Sequence, residues 1–267
     1  MRTCSDLKIT SEDETVVRGE EQFTVAKSGA ALHVSPGGNG GVVVRGSDRS
    51  DYQVTVCKAA SGSDEGAAKA TLAQINARPS GNEIVATGPE ERWLVYVLID
   101  APRDAALNLE THNGPLSVRD IGGSVTARAQ NGPISLRNIT GAADASVQNG
   151  PVSFSGNGGN TKIRAQNGPL SIELDGERWQ GQGLDAATVN GPVSVKLSEN
   201  YASGVEVESS GRSPVRCSAR QCEQQGARTW DDEHRNISIG GTPVLVRVAT
   251  VNGPVTVKNW GGKEDWE

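Results

Sequence analysis

Apolar and polar residues alternate along much of this chain, most clearly between residues 107 and 197. Around each Asn of a recurring Asn-Gly phrase, the second, fourth and sixth residues before it are small or apolar, as are the third and fifth after it. The residues between them are mostly polar. Because successive side chains of a strand point to opposite faces, this pattern predicts strands with one buried face. Each phrase therefore predicts a strand, an Asn-Gly corner, a second strand and a Gly-rich turn.

The phrase itself is Asn-Gly-Pro followed by an apolar, a hydroxyl and an apolar residue. It begins at Asn113, Asn131, Asn149, Asn167 and Asn190, with a sixth copy at Asn252. The first three steps are equal, since 131 − 113, 149 − 131 and 167 − 149 all give 18, whereas 190 − 167 gives 23 and indicates an insertion. A fixed period of this size is typical of a stacked array.

Two folds remain open from this pattern. We favour an all-β β-solenoid with about 18 residues per turn, in which each residue lies on its own type one period later, about 4.8 Å away. Columns of Asn and Gln would then form hydrogen-bonded ladders. The alternative is a β-sandwich or barrel of hairpins, because Asn-Gly also forms hairpin turns. Pro directly after Asn-Gly fits a hairpin poorly, since it has no amide to donate.

The N-terminal residues 1–104 hold shorter apolar segments and are predicted to be a capping region with degenerate rungs. Within them, residues 1–21 are polar and are expected to be a loose lead-in. A stack of strands needs covered ends to avoid edge-to-edge association, which is why we assign a capping role to this region.

One short helix is predicted near 64–76, with Ser63 as the N-cap and Pro79 after its end. We interpret it as a flap or cap over the first rungs. Its apolar stripe at helical spacing consists of Ala68, Leu72 and Ile75.

The repeat array is predicted to span 105–260, and its period decays after Leu197. Residues 205–217 look like one worn rung, and 218–236 have no apolar pattern and are predicted to be a loop insertion. The final residues, 261–267, read as a polar tail. The stack is expected to resume with 237–239 and 244–257.

The composition limits the classes of partner that this chain is expected to bind. The formal net charge is −6, and Lys and Arg are scattered singly, which argues against nucleic acid or an anionic membrane surface as the main partner. No apolar stretch approaches the roughly 20 residues of a membrane-spanning helix. The sequence does not indicate an oligomeric state.

Four cysteines are present, and their spacing is not that of a zinc site. Cys217 and Cys222 are close enough in sequence to pair, which leaves Cys4 and Cys57 as the second candidate disulfide. Disulfides in a Gly-rich β protein favour an extracytoplasmic location, the periplasm or cell surface. Cys4 is alternatively a candidate lipid anchor. The residues after Met1 lack the apolar segment of a signal peptide, so an exported chain is expected to be the mature part.

Two stretches carry a resemblance to a known family. Val-Leu-Ile-Asp-Ala-Pro at 97–102 leads into Leu-Asn-Leu-Glu-Thr-His-Asn-Gly at 107–114, and Asn-Gly phrases follow between alternating strands. In this the chain resembles the bacterial putative-adhesin family of β-strand-repeat proteins, a domain of unknown function. The resemblance is strongest over 95–197. It implies a right-handed β-solenoid in the cell envelope or outside the cell, and it implies no catalytic residues.

The repeats bear on two kinds of chemistry, calcium binding and carbohydrate cleavage. Calcium β-rolls need an aspartate in each Gly-rich turn, and the turn at 155–160 lacks it, so no metal or cofactor is expected. A polysaccharide-active β-helix enzyme, a lyase or hydrolase, is the alternative function. It would need two carboxyls about 5–10 Å apart. The carboxylates Asp144, Glu173 and Asp185 are expected in different columns, which does not select a pair. The acidic run at 231–234 is interpreted as a solvated loop.

The polar columns are the remaining candidates for binding. A comb of like side chains could bind a glycan through repeated hydrogen bonds, or it could serve only to satisfy the backbone at the corners, and the second interpretation is favoured. We predict a non-enzymatic envelope-associated adhesin-like or scaffold protein that presents a polar face to a glycan or an envelope protein. The candidate binding residues are Asn113, Asn131, Asn149, Asn167, Asn190, Gln130, Gln148 and Gln166.

Overall fold

The structure is a computed structural model that describes residues 3–6, 14–210, 213–223, 227–230 and 235–260. The chain forms two compact units, Met1–Pro133 and Ile134–Glu267. The described residues are all-β apart from one α-helix and two short 3-10 turns, and both units contain long sheets in which parallel strand pairs predominate. The predicted acidic run at 231–234 and the polar tail at 261–267 lie outside the described residues.

In the first unit, one sheet has the strand order β1-β4-β6-β3-β8 and the other β9-β7-β2-β5. Strand β4 pairs antiparallel with both β1 and β6, and the remaining pairs are parallel. The elements are β1 (Thr15–Ala26), β2 (Leu32–Ser35), β3 (Gly40–Ser47), β4 (Asp51–Gly62), α1 (Glu65–Ala73), β5 (Glu83–Val85), β6 (Trp93–Pro102), β7 (Leu107–Asn113), β8 (Leu116–Ile121) and β9 (Val125–Asn131).

The second unit also has two sheets. The elements are β10 (Ile134–Ile139), β11 (Ala142–Asn149), β12 (Val152–Gly156), β13 (Gly158–Asn167), β14 (Leu170–Leu174), β15 (Gln180–Asn190), β16 (Val193–Leu197), β17 (Gly204–Ser209), β18 (Val215–Cys217), β19 (Arg228–Trp230), β20 (Arg235–Ile239), β21 (Val244–Asn252) and β22 (Val255–Asn259). We name the sheet β10-β12-β14-β16-β22-β18 the Ser sheet and the sheet β11-β13-β15-β21-β17-β20-β19 the Gln sheet, after residues on their outer faces.

Parallel pairing follows the repeat period. Ile134 aligns with Val152, and Val152 with Leu170, so equivalent residues are 152 − 134 = 18 and 170 − 152 = 18 positions apart. On the Gln sheet Asn149 aligns with Asn167 at the same offset. The step to Asn190 absorbs five more residues, and within that insertion the side chain of Trp179 is buried against Phe154 with ring centroids 5.9 Å apart.

The apolar positions of the phrases form the core. The third and fifth residues after Asn are buried in every copy, for example Val152 and Phe154, and so are the fourth and sixth before it, for example Ala145 and Ala143. Small residues such as Ala127 and Ala186 recur at these positions, which limits the thickness of the core. The predicted strands with one buried face are present in the structure.

The corners explain the Gly and the Pro of the phrase. The Gly168 amide donates to the Asn190 carbonyl at 2.9 Å, and the Leu170 amide donates to the Pro192 carbonyl at 2.9 Å. The residue between them needs no amide for this ladder, so proline fits there and its ring fixes φ as the strand begins. Gly168 has φ +151, and a Cβ built on it would lie 2.1 Å from the Gly150 carbonyl oxygen.

The last rungs stack in a different order from the sequence. Strand β21 lies between β15 and β17, and β22 lies between β16 and β18, so the sixth phrase stacks directly on the fifth. The earlier rung at 204–217 lies outside it. Ser209 aligns with Thr250, and the sequence that follows it, Gly-Arg-Ser-Pro at 211–214, does not repeat Asn-Gly-Pro. Asn252, by contrast, continues the corner hydrogen bonds by donating to Asn190 at 3.0 Å.

Two predictions for this region are wrong. The segment 218–236 is not all loop, because it holds a 3-10 turn at Arg220–Glu223 and strand β19, and β20 begins at Arg235. The segment 237–239 does not resume the parallel stack, because β20 pairs antiparallel with β17. Apolar periodicity cannot distinguish these cases, since an edge strand alternates equally well in either direction.

The helix is shorter than predicted and has a different N-cap. Helix α1 spans Glu65–Ala73, and the Asp64 side chain, not Ser63, accepts a hydrogen bond from the Ala67 amide at 2.8 Å. Ala68 is buried and Leu72 half-buried, as the stripe predicts, but Ile75 is buried beyond the helix end. The helix packs on β4, where a Cβ on Gly62 would lie 2.5 Å from the Ala68 amide nitrogen.

All four cysteines are in disulfides. Cys4 is bonded to Cys57 on β4, and Cys217 on β18 is bonded to Cys222 in the 3-10 turn. The alternative in which Cys4 carries a lipid would require its sulfur to be free. Cys57 is buried with Leu98, and Cys4 packs against this pair on the outer side of the sheet.

We predict that Gly168→Ala lowers the free energy of unfolding by roughly 3–5 kcal/mol, because the added methyl meets a backbone carbonyl at a positive φ. Urea unfolding measures the change. The control is Gly29→Ala, which adds a methyl with nothing within 4 Å and should change stability by at most about 0.5 kcal/mol. Equal unfolding midpoints for the two variants would contradict the close stacking of the corners.

Candidate functional site

The asparagines of the phrases form hydrogen-bonded ladders within each unit. In the second unit Asn167 Nδ2 donates to Asn149 Oδ1 at 2.9 Å, and Asn190 Nδ2 donates to Asn167 Oδ1 at 2.9 Å. In the first unit Asn131 Nδ2 donates to Asn113 Oδ1 at 2.9 Å. Each contact joins equivalent corners of neighbouring rungs, so the amides have a structural role at the corners.

The ladder leaves part of the Asn167 and Asn190 side-chain amides available. An Asn side chain has two N–H donors and an oxygen with two lone pairs, and one ladder uses one donor and one lone pair. Asn167 and Asn190, each of which makes two ladder hydrogen bonds, are exposed. The remaining N–H and lone pair of each can therefore reach solvent or a ligand, which keeps the Asn column as a candidate binding surface.

The first unit contains an additional ladder position. Asn113 Nδ2 donates to Asn39 Oδ1 at 3.2 Å and to the Gly38 carbonyl at 3.0 Å, so Asn39-Gly40 is a degenerate corner. In the sequence this corner lies within the Gly-rich run Pro-Gly-Gly-Asn-Gly-Gly at 36–41 and lacks the Pro of the phrase. The available signal was Val42 and Val44, which stand at the third and fifth positions after Asn39 as in the phrases.

The residue before each Asn points outward and forms a second column. Gln130 in the first unit and Gln148 and Gln166 in the second are exposed. In the fifth and sixth phrases this column changes from Gln to Val189 and Val251, which are 44% and 45% exposed. Together with Val85, they are the large apolar side chains that stand exposed among the described residues.

A groove of about 530 Å³ lies on the outer face of the Gln sheet at these valines. Ala187 and Ala249 occupy neighbouring strands in its middle, beside Val189 and Val251. Its two sides are polar. The residues there include Arg164 and Gln166 on β13 at one side, and Glu208 and Ser210 on or after β17 at the other.

Next to the groove, charges alternate from strand to strand. Lys162, Asp185, Arg247 and Glu206 are aligned across β13, β15, β21 and β17. Arg164 pairs with Asp185 at 2.5 Å, and Arg247 Nε lies 3.4 Å from Glu206 Oε2. Asn236 Nδ2 donates to Glu206 Oε1 at 3.0 Å. The face is therefore apolar in the middle and charge-balanced at its margin.

Asp144, Glu173 and Asp185 were predicted to lie in different columns, and this prediction is wrong for Asp144 and Asp185. Asp144 and Asp185 both align with Lys162, from opposite sides, so they share a column with a lysine between them. The distance to the following Asn sets the column, and it is five residues for both, as 149 − 144 and 190 − 185. Glu173 lies on the Ser sheet, 3.3 Å from Lys196. Glu173 and Asp185 are thus each held by a cation from a neighbouring strand.

One carboxyl that the sequence analysis did not single out has a perturbed pKa. Burial raises the pKa of Asp175 above its usual range, the nearby Glu173 adds to the increase, and the hydrogen bond from the Ser155 hydroxyl at 3.2 Å opposes it. Asp175-Gly176 follows β14 and reads in the sequence as an ordinary turn. Its hydrogen bond to Ser155 gives it a structural function in the turn.

Neither metal ligation nor a membrane span emerges from the described residues. Within them, no three His, Cys, Asp or Glu side chains come together closely enough to hold a metal ion. None of the described helices is long and apolar enough to cross a membrane.

No protein-family model matches the chain, and no curated protein matches it. Similar solved structures include a putative cell adhesion protein from Clostridium sporogenes, with 13% identity, a TM-score of 0.37, and an alignment covering 91% of this chain and 100% of that one. They also include a putative adhesin from Bacteroides fragilis, with 12% identity, a TM-score of 0.41, and coverage of 92% and 97%. Alignments at these scores bear on neither the ligand nor the chemistry of this chain.

We predict that Asn167→Ala lowers the free energy of unfolding by about 1–2 kcal/mol, because it removes two ladder hydrogen bonds, each with a net contribution of about 1 kcal/mol. Thermal and urea unfolding measure the change. The matched control is Gln166→Ala at the neighbouring exposed position, which should leave stability within about 0.5 kcal/mol of the parent. A larger loss in the Gln166 variant would contradict the structural role of the Asn column.

Proposed function

We propose that this chain is a non-enzymatic, exported, envelope-associated protein of the adhesin-like or scaffold type, which presents the outer face of the Gln sheet to a partner. One observation carries this proposal. The groove at Val189 and Val251 is an apolar depression framed by polar side chains on a regular, strongly hydrogen-bonded sheet. Binding sites commonly combine apolar surface with a few placed polar groups.

The proposed architecture is a right-handed β-solenoid with about 18 residues per turn, with 1–104 as the capping region and 105–260 as the repeat array. It is supported by parallel pairing at an offset of 18, as between Ala142 and Asn160, and by the stacked corner asparagines. A repeat array of this kind suits a scaffold, because its outer face repeats at the spacing of the strands, about 4.8 Å.

The proposed location is extracytoplasmic, in the periplasm or at the cell surface. It is supported by the disulfides Cys4–Cys57 and Cys217–Cys222, since disulfides persist mainly in oxidising compartments. The proposed partner is a glycan, bound along the Gln column by repeated amide hydrogen bonds, with an envelope protein as the other class. The amide side chains of the Gln column and the hydroxyl groups of a glycan can each donate and accept hydrogen bonds, so the two kinds of group can pair with each other.

We predict that deletion of residues 150–167, one full repeat of 167 − 149 = 18 residues, leaves a folded protein. The deletion joins Asn149 to Gly168, so the corner phrase and the inward and outward alternation are kept. Circular dichroism and cooperative unfolding test this result. The control deletes residues 150–158, half a repeat, and should abolish cooperative unfolding because it breaks the register of the corners. Equal behaviour of the two deletions would contradict an 18-residue turn.

We predict that the protein gives a specific signal on a glycan array and that Gln148→Ala with Gln166→Ala reduces it at least tenfold. The matched control is Ser153→Ala with Ser171→Ala, which changes the outer face of the Ser sheet and should leave the signal unchanged. Loss of the glycan signal in the presence of reductant would indicate that the insertion closed by the Cys217–Cys222 disulfide contributes to binding. Absence of any glycan signal, with and without reductant, would contradict glycan binding, and pull-down from envelope extracts would then test the protein partner.

A further inference from the structure

The groove lies at the centre of a symmetric arrangement of side chains. Strands β13, β15, β21 and β17 are consecutive in the Gln sheet and parallel. At the register position three residues before the corner Asn, the outward side chains form a row with small apolar residues in the middle and opposite charges at the ends. This row is Arg164, Ala187, Ala249 and Glu208.

The rows on either side have the same form of symmetry. The row two positions closer to the corner has valines in the middle and polar residues at the ends. The row two positions farther from the corner has charges that alternate from strand to strand. The first of these rows is Gln166, Val189, Val251 and Ser210, and the second is Lys162, Asp185, Arg247 and Glu206.

We propose that this face docks against the same face of a second copy of the chain, around a two-fold axis parallel to the strands and midway between β15 and β21. Such an axis reverses the order of the strands and keeps the position along them. It sets Arg164 against Glu208 of the partner subunit and Val189 against Val251 of the partner subunit. An isologous interface requires this kind of self-complementarity, in which one patch matches itself after rotation.

The alternating charges agree with the same axis. Reversal of the strand order sets Lys162 against the partner subunit's Glu206, and Asp185 against the partner subunit's Arg247. All four contacts in this row are therefore between opposite charges. A one-strand shift sets Lys162 against the partner subunit's Arg247, so the charges disfavour that register. Counted over the three rows, three positive and three negative side chains make the patch neutral, within a chain of net charge −6.

The apolar centre supplies the attraction, and the charges supply the orientation. Val189 and Val251 are each nearly half exposed in the single chain, and docking would remove them from water. The hollow over Ala187 and Ala249 leaves room for the stems of the long charged side chains around it. The four strands span about 14 Å between the outer two, so the patch is smaller than a standard interface and the dimer should be weak and concentration-dependent.

The proposal does not depend on glycan binding, and charge reversal tests it directly. Arg164→Glu and Glu208→Arg are made separately in the full chain. In each variant alone, docking sets like charges together, so dimerisation should weaken at least tenfold relative to the parent. In an equimolar mixture, the two variants can form a heterodimer. At one end, the Glu at position 164 of the first variant faces the Arg at position 208 of the second. At the other end, Arg164 of the second variant faces Glu208 of the first. Association should return to the parental level.

Sedimentation equilibrium across a concentration series measures association, and native mass spectrometry with one variant isotopically labelled identifies the heterodimer. Circular dichroism and thermal unfolding confirm that each variant is folded. A misfolded variant would not be rescued by mixing, so recovery is specific to the interface. A parent that stays monomeric at every concentration would overturn the proposal, as would two folded variants whose mixture forms no heterodimer.

The apolar centre is tested by Val189→Gln with Val251→Gln, which continues the Gln column of the preceding rungs across the groove. The association constant of this variant should be at least tenfold lower than that of the parent, while its unfolding midpoint changes little. The matched control is Val85→Gln on β5 in the first unit, a valine that is 41% exposed, and this variant should dimerise like the parent. Equal association of both variants with the parent would exclude the valine patch as the interface.

Discussion

The close approach of backbones at the Asn-Gly-Pro corners is the constraint on which the fold depends. A Cβ at the corner glycine would lie 1.9 Å from a carbonyl oxygen at Gly253, 2.0 Å at Gly191 and 2.3 Å at Gly132. Only glycine allows rungs to stack at this distance. The Asn before it and the Pro after it follow from the same geometry, because the Asn amides bridge successive corners and the Pro position needs no amide. Small inward residues such as Ala145 then suit the thin core between the sheets.

The corner also decides where the chain goes after its fifth phrase. The rung that comes next in sequence, 204–217, does not stack on β15 and β16, and its sequence has no Asn-Gly-Pro phrase that could extend the Asn ladder. The sixth phrase does so instead, and its Thr250 hydroxyl donates to the Gly191 carbonyl as Thr188 donates to Gly168. The order of the strands therefore follows the corner phrases rather than the order of the chain. This arrangement requires a long loop to close, but the entropic cost of closing a loop rises only slowly with its length. The displaced rung is covered by β20, and β20 by β19.

The strands, the period and the stacking of like on like were predictable because all three are properties of the repeat. What was not predictable came from outside it. Asp64 caps the helix in place of Ser63, a choice between adjacent capping residues that tertiary packing decides. The antiparallel direction of β20 and the position of β21 depend on which strands they pair with, and apolar alternation does not specify that choice. At the candidate site, the Asn and Gln columns followed from the period, whereas the grouping of Val189 with Val251 required the stacking of the sixth phrase on the fifth.

That grouping links the fold to the candidate binding face. In sequence, Val189 and Val251 are 62 residues apart, as 251 − 189, and neither alone is notable, since single exposed apolar residues are common on protein surfaces. The corner ladder brings their strands together and sets them between β13 and β17, whose charged residues frame them. Had the rungs stacked in chain order, Ala187 would have faced Glu208 directly and the two valines would have been separated by the rung at 204–217. The apolar groove thus exists because the corner motif, rather than the order of the chain, determines which strands become neighbours.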